Sequence, residues 1–248
     1  TGVILSAHTS LGTWPIAAFG TEEQKKQYLP DLCSGRKIGA FGLTEPNAGS
    51  DAGGTETTAD LDGDHYVLNG NKIFITNGGE ADTYVVFAVT TPDIGVRGIS
   101  AFIVEKGWEG FVFGDHYDKM GIRSSATCEL IFNNVKVPKE NLVGREGQGW
   151  EIGTRLLQHE RNSLSGGSGS AARMNAGQGV PEIAKKYRGT DAEGRIDDAD
   201  LRNRIIRHEM DQRAFALTLR RAALEAKGNA GPSAATSTGS TCSLIPPP

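Results

Sequence analysis

The feature that most restricts the fold is a change of hydrophobic pattern at about residue 37 and again after Pro138. Between these points, short runs of β-branched and aromatic residues alternate with turn residues, which predicts β-strands. Their close spacing favours a small antiparallel barrel or sandwich over an array of βαβ units. The runs are KIGAFGLTE, HYVLNGNKIFITNG, TYVVFAVTT, ISAFIVEKG, GFVFGDH and CELIFNNVKVP.

Helical patterns flank the strand region, so the expected class is α+β. Thr21 followed by Gln24 forms a capping box and predicts a helix at about 21–33, bracketed by Gly20 and Pro30. The segment WEIGTRLLQHER predicts a second helix at about 147–162. A third is predicted at about 199–227 by an apolar face that comprises Leu201, Ile205, Ile206, Met210, Ala214 and Leu217.

One turn is predicted with a defined geometry. Asn69-Gly70 stands between two runs of strand-forming residues, Tyr66-Val67-Leu68 and Lys72-Ile73-Phe74. Asn-Gly favours the positive backbone φ angles of a type I′ turn, so we expect a β-hairpin there.

Charge and cysteine usage exclude several classes of protein. The net charge is −4 and the basic residues are scattered, which argues against nucleic acid or an anionic membrane as the partner. No apolar run approaches the roughly 18 residues of a membrane-spanning helix. Three distant cysteines indicate free thiols in a reducing compartment, the cytoplasm or a mitochondrial matrix. The histidines show no metal-ligand spacing with them, so no metal site is predicted.

The segment FGLTEPNAGSD, residues 41–51, is the candidate ligand loop. It reads as a strand that ends in a loop with exposed backbone N–H groups and two hydroxyls, those of Thr44 and Ser50. Such a loop is either a binding element or an ordinary turn, and its own residues leave both interpretations open.

Four motifs in order resemble one family. FGLTEPNAGSD, KIFITNGG at 72–79, MGIRSS at 120–125 and ELIFNNVKVP at 129–138 are similar to the middle domain of acyl-CoA dehydrogenases, with the nearest likeness to the short-chain, butyryl-CoA-type members. The resemblance implies an FAD site in which Thr76 reaches flavin N5 and Ser50 touches the CoA part of the substrate. The implied flavin-contacting residues are Phe41, Leu43, Thr44, Gly49, Phe74, Ile75 and Thr76. The alternative for Phe74 is an ordinary place in the barrel core.

The segment LLQHER at 156–161 resembles the family's Asp-x-x-Arg element, which grips the substrate. Glu160 and Arg161 match the positions at which the long-chain and isovaleryl-type members carry the catalytic carboxylate and its neighbouring arginine, with Gln158 where the aspartate usually stands. Short-chain members instead place the base in a YEGT-like element near the C-terminus, which is absent here. The resemblance thus implies Glu160 as catalytic base and Arg161 as substrate ligand. The alternative is a charged pair on a solvated helix face.

The resemblance implies FAD-dependent conversion of a fatty acyl-CoA to a trans-2-enoyl-CoA, with an electron-transfer flavoprotein as electron acceptor. It also implies a homo-oligomer, a tetramer in the family. Residues 150–235 are more divergent than 3–149, as expected of a fragment, a hybrid or a mis-assembled reading frame. The alternatives are a non-catalytic flavin- or CoA-binding fragment or assembly subunit, and a relative of acyl-CoA oxidases or flavin monooxygenases.

These patterns together predict four parts of the chain. A remnant of an N-terminal helical domain is expected at 1–36 and the FAD-binding β-domain at 37–145. A partial C-terminal helical domain is expected at 146–228, with its terminal helices missing. The Gly-, Pro- and Ser-rich stretch at 229–248 is expected to be disordered.

Overall fold

The structure, a computed structural model, describes residues 2–164 and 179–227. The chain divides into two compact units, Thr1–Ser163 and Leu164–Pro248. The predicted disordered tail at 229–248 and the SGGSGS segment at 165–170 lie outside the described residues.

The first unit begins with three helices and a π-helical turn. They are α1 (Gly2–Ser6), the π-helical turn (Ala7–Thr13), α2 (Trp14–Phe19) and α3 (Glu22–Ser34). The predicted capping box is confirmed: Gln24 N donates to Thr21 Oγ1 at 3.2 Å, and Thr21 N donates to Gln24 Oε1 at 3.0 Å. The helix predicted at about 21–33 is confirmed, but Pro30 does not bracket it, because the proline lies inside α3, which continues to Ser34 and ends at Gly35 in the left-handed conformation. Burial of Leu32 beyond the proline offsets the helix-breaking cost of about 3 kcal/mol.

A mixed β-sheet follows the helices. Its strands are β1 (Gly39–Gly42), β2 (Thr58–Asp62), β3 (His65–Thr76), β4 (Thr83–Val89), β5 (Ile99–Glu105), β6 (Phe111–Phe113), β7 (Thr127–Pro138) and β8 (Leu142–Val143). The order is β6-β7-β3-β2-β4-β5-β8, with β1 beside β4. The α+β class is confirmed, and β3 pairs antiparallel with β2 and β7, as β4 does with β5. The prediction of a fully antiparallel sheet is wrong, because β1 and β2 each run parallel to β4. The described sheet does not close into a barrel.

The sheet folds over as a sandwich. Tyr66 of β3 meets Phe102 of β5 with ring centroids 4.9 Å apart, and Tyr84 of β4 meets Phe111 of β6 at 5.0 Å. The other face of β4 and β5 is covered by helices, since Phe87 belongs to a buried cluster with residues of α2, α3 and α4. Both faces of β4 are therefore buried, which explains its continuous apolar sequence.

The predicted hairpin at Asn69-Gly70 is wrong. β3 runs unbroken through this pair, with a bulge between Leu68 and Gly70 in its pairing with β7. Gly70 is required because its backbone passes Thr57 so closely that a Cβ would lie 2.8 Å from the Thr57 Cα. The hairpin turn lies instead at Gly63-Asp64, where β2 turns into β3.

Three further helices complete the described chain. They are α4 (Gly149–Leu164), α5 (Val180–Arg188) and α6 (Ala199–Lys227). The bounds of α6 match the prediction, those of α4 are shifted by two residues, and α5 was not predicted. On the predicted apolar face of α6, Ile205 is buried, whereas Met210 and Leu217 are exposed. Within the described ranges, no helix is both long and apolar enough to cross a membrane.

Candidate functional site

The loop that follows β1 forms the first wall of a cleft in the first unit. After Gly42 the chain leaves the sheet with Leu43 buried and Thr44 half-buried, and Gly49 and Ser50 lie on the exposed part of the loop. The backbone N–H of Ile73 donates to the Thr44 carbonyl at 2.8 Å, which fixes this loop against β3.

The second wall is made by an irregular part of β3. The register with β7 shifts between Lys72 and Ile75, so Ile73 is released to bond to Thr44. Phe74 takes a φ of 58°, a conformation that costs a non-glycine residue energy and is common at functional sites. Phe74 is 61% exposed, and the centroid of its ring lies 5.1 Å from that of Tyr117. The alternative that Phe74 belongs to the barrel core is wrong.

Hydroxyl groups converge on this cleft. Thr44, Ser50 and Thr76 all line it. In the part of the chain that the structure describes, none of these three hydroxyls has a hydrogen-bond partner. They are therefore available to a ligand with polar edges.

Helix α4 brings a carboxylate to the same cleft. Ile152 and Leu156 are completely buried, and Glu160 follows Leu156 by four residues, which places all three on one helix face. Because this face packs toward the sheet, Glu160 is half-buried and lines the cleft beside Leu157. The side chain of Arg161 lies outside the described part of the chain.

The cleft has a volume of about 340 Å³, within the usual range of small-molecule sites. It brings together every predicted cofactor residue, together with Ser50 and Glu160. The residues that the sequence analysis missed are Ala7, Leu11, Ala52 and Leu157. The first two come from the π-helical turn; their four-residue spacing in the apolar N-terminal stretch was the available signal.

A buried ion pair links the loop after β1 to β3. Lys72 Nζ donates to Glu45 Oε1 at 2.5 Å, and both side chains are almost fully buried. Burial lowers the pKa of Lys72 to about 8, although the carboxylate opposes this. Burial also disfavours the charged form of Glu45, but the Lys72 ammonium and donors from Thr57 and Glu56 outweigh it and lower the pKa of Glu45. The pair is therefore ionised at neutral pH.

Comparisons with known proteins match the same segments. The model of the acyl-CoA dehydrogenase N-terminal domain matches residues 1–36, and that of the middle domain matches residues 40–135. Together they cover more than half of the chain. This chain belongs to the acyl-CoA dehydrogenase family.

Individual members of the acyl-CoA dehydrogenase family are closely similar. The short-chain-specific acyl-CoA dehydrogenase of Clostridium acetobutylicum is 58% identical over 187 residues, which are 75% of this chain and 48% of that protein. The butyryl-CoA dehydrogenase structure from Megasphaera elsdenii superposes with a TM-score of 0.76 at 42% identity, over 91% of this chain and 59% of that one. An acyl-CoA dehydrogenase from Bacillus anthracis, solved with FAD, gives 0.64 at 44% identity, over 74% and 33%. The chain thus spans about half the length of the curated relative it matches.

The lining of the cleft fits the ring system of a flavin. A flavin ring presents two flat apolar faces and a polar edge that accepts and donates hydrogen bonds, so it needs an apolar wall with a few fixed polar groups. Phe74 and Ile75 supply apolar surface, and the Thr44 and Thr76 hydroxyls supply polar groups. The open cleft and the outward-turned Phe74 leave the wall accessible to such a ring.

Proposed function

We propose that this chain is the flavin-binding part of an acyl-CoA dehydrogenase, an FAD-dependent enzyme that converts a fatty acyl-CoA to a trans-2-enoyl-CoA. The observation that carries the proposal is the convergence of Glu160, Thr76 and Phe74 on one cleft. This arrangement brings a proton acceptor and a flavin-compatible wall to the same small volume, as the reaction requires.

The cofactor would be held by the two walls of the cleft. Phe74 and Ile75 would pack against the ring, and the hydroxyls of Thr44 and Thr76 would bond to its polar edge. Phe41, Leu43 and Gly49 complete this surface. Bound FAD would supply the acceptor for the hydride that leaves the β-carbon of the substrate.

Glu160 would act as the base. Its carboxylate would take the proton from the carbon next to the thioester carbonyl, and the electron pair left behind would form the new double bond as hydride leaves the neighbouring carbon. Its position on the lining of the cleft beside Leu157 supports this role, because a general base must lie within reach of the carbon whose proton it removes. Ser50 would contact the CoA part and Arg161 would orient the substrate.

The partners follow from the chemistry. The two electrons taken from the substrate must leave the enzyme, and we propose an electron-transfer flavoprotein as the acceptor. We further propose a homo-oligomer working in the cytoplasm or a mitochondrial matrix. Neither nucleic acid nor an anionic membrane is expected, because the net charge is −4 with dispersed basic residues.

The test is anaerobic mixing of the FAD-loaded chain with butyryl-CoA and with longer acyl-CoA thioesters. Bleaching of the visible flavin band, with formation of the enoyl-CoA, is expected. A chain that binds FAD but is bleached by none of them would overturn the proposed activity and favour a non-catalytic flavin- or CoA-binding subunit. Bleaching followed by rapid reoxidation in air would favour an oxidase.

A further inference from the structure

We propose that the buried pair Lys72–Glu45 is a positioning device that holds the two walls of the flavin cleft in register. The inference rests on the proposed function, since it assigns the pair a role in flavin binding. Neither residue lines the cleft itself, so the pair would act through Thr44 and Phe74.

The ion pair ties the loop after β1 to β3. Lys72 Nζ donates to the Leu43 carbonyl at 3.3 Å and to Glu45 Oε1 at 2.5 Å. Thr44 lies between these two acceptors, and its own carbonyl accepts from Ile73 N at 2.8 Å. Three consecutive loop residues are thus bonded to two consecutive strand residues. The strand residue that follows is Phe74, in its strained conformation.

Glu45 also closes the loop. Glu45 Oε2 accepts from the backbone N–H of Glu56 at 2.6 Å, and Oε1 accepts from that of Thr57 at 3.1 Å. The carboxylate therefore joins the two ends of the segment 45–57, which carries Gly49 and Ser50 into the cleft. One side chain fixes the loop both to itself and to β3.

A buried ion pair is a poor means of stabilising a fold, because the cost of removing two charges from water offsets their attraction, and apolar replacements often keep stability. A buried ion pair does fix geometry, because the hydrogen bonds of each charged group hold its partners at defined positions. A pair that links the two walls of the cleft therefore fits a positioning role better than a role in general stability.

The test compares the wild-type chain with the double variant Glu45→Gln/Lys72→Met, which removes both charges and keeps an amide oxygen for one of the two backbone donors. Two quantities are measured: hydrogen exchange of the Ile73 amide without cofactor, and the dissociation constant for FAD. We expect exchange at Ile73 to accelerate and the dissociation constant to rise, each by about tenfold or more, the equivalent of about one lost hydrogen bond.

The matched control is Asn141→Leu. Asn141 is also buried, and its amide donates to the Ile103 carbonyl at 2.9 Å and to the Tyr28 hydroxyl at 3.0 Å, but it does not line the cleft. We expect it to lower the melting temperature while leaving exchange at Ile73 and FAD affinity within about twofold of wild type, since distant sites act independently. If the double variant does not fold, Lys72→Met is measured instead, below its melting temperature.

Three results would overturn the inference. One is unchanged Ile73 exchange in a folded variant. Another is faster exchange spread equally to Val85 and Phe87 of β4, which would mark the pair as a general stabiliser. The third is faster exchange at Ile73 with unchanged FAD affinity. If the wild-type chain does not bind FAD, the proposed function fails, whereas the exchange measurement still decides whether the pair positions the loop.

Discussion

Glu160 lies one helical turn after Leu156, on the face of α4 that packs toward the sheet. We predict that Glu160→Gln lowers the rate of α-proton exchange of an acyl-CoA in deuterated buffer by roughly 10²–10⁴-fold, the usual contribution of a general base. The amide keeps the shape of the side chain and removes its basicity, so FAD affinity is expected to stay unchanged. Mass spectrometry of the recovered thioester reports the exchange.

The control for this variant is Glu151→Gln on the same helix. Glu151 pairs with Arg155 at 3.1 Å on an exposed face, so its neutralisation should leave the exchange rate unaltered. Exchange at the wild-type rate in Glu160→Gln would show that Glu160 is not the base.

The second residue-scale prediction concerns acid stability. The pKa of Glu45 is held below its ordinary value of 4.5, so the folded state prefers the ionised form. A carboxyl with a depressed folded-state pKa contributes stability above its unfolded value, and that contribution is lost as the pH falls through the folded value. We therefore expect urea-unfolding midpoints to fall less steeply below pH 4.5 in Glu45→Gln than in wild type. Glu56→Gln, at an exposed neighbour, serves as control; parallel curves for all three proteins would contradict the assignment.

Among the helices and strands, the features that depend on neighbouring residues were predicted correctly from the sequence. Thr21 and Gln24 form the expected cap, and the strand runs become strands because their side chains alternate between two buried layers. The hairpin prediction at Asn69-Gly70 was wrong because Gly70 instead allows β3 to pass close to Thr57, a residue outside this strand. The parallel pairing of β1 with β4 is equally long-range.

In the site, too, some residues could be predicted from the sequence and others depend on contacts between distant parts of the chain. The cleft residues were found from the resemblance, and the four-residue spacing of Leu156 and Glu160 was readable in the sequence. The role of Lys72 was not, because a lysine in a strand normally reaches solvent and its buried partner, Glu45, lies 27 positions away.

The close packing of the π-helical turn against β1 leads to a prediction about stability. Gly12 of the π-helical turn approaches β1 so closely that a Cβ would meet the carbonyl carbon of Gly39 at 2.4 Å and the nitrogen of Ala40 at 2.7 Å. We predict that Gly12→Ala lowers the free energy of unfolding by at least about 1–3 kcal/mol, because backbone atoms must shift. Gly121→Ala, where a Cβ meets nothing within 4 Å, should change it by less than about 0.5 kcal/mol. Equal urea midpoints for the two variants would show that the turn does not pack as described.

At the scale of the whole molecule, the residues that line the cleft all belong to the unit Thr1–Ser163. The chain covers 48% of its Clostridium relative. The cleft walls should nevertheless recognise the flavin ring, because the groups that line the cleft come from the π-helical turn, β1, β3, the loop after β1 and α4.

Flavin binding in this cleft is tested by a titration of the chain with FAD, in which the visible flavin absorbance and fluorescence are followed. We predict saturable binding with a perturbed flavin band, and a weaker dissociation constant in Thr76→Val, which removes one cleft hydroxyl and keeps the side-chain volume. Absence of saturable binding up to about 1 mM FAD would show that the cleft does not hold a flavin, because a dissociation constant of that size corresponds to a binding free energy of only about 4 kcal/mol. Equal affinity in wild type and Thr76→Val would show that any binding occurs elsewhere.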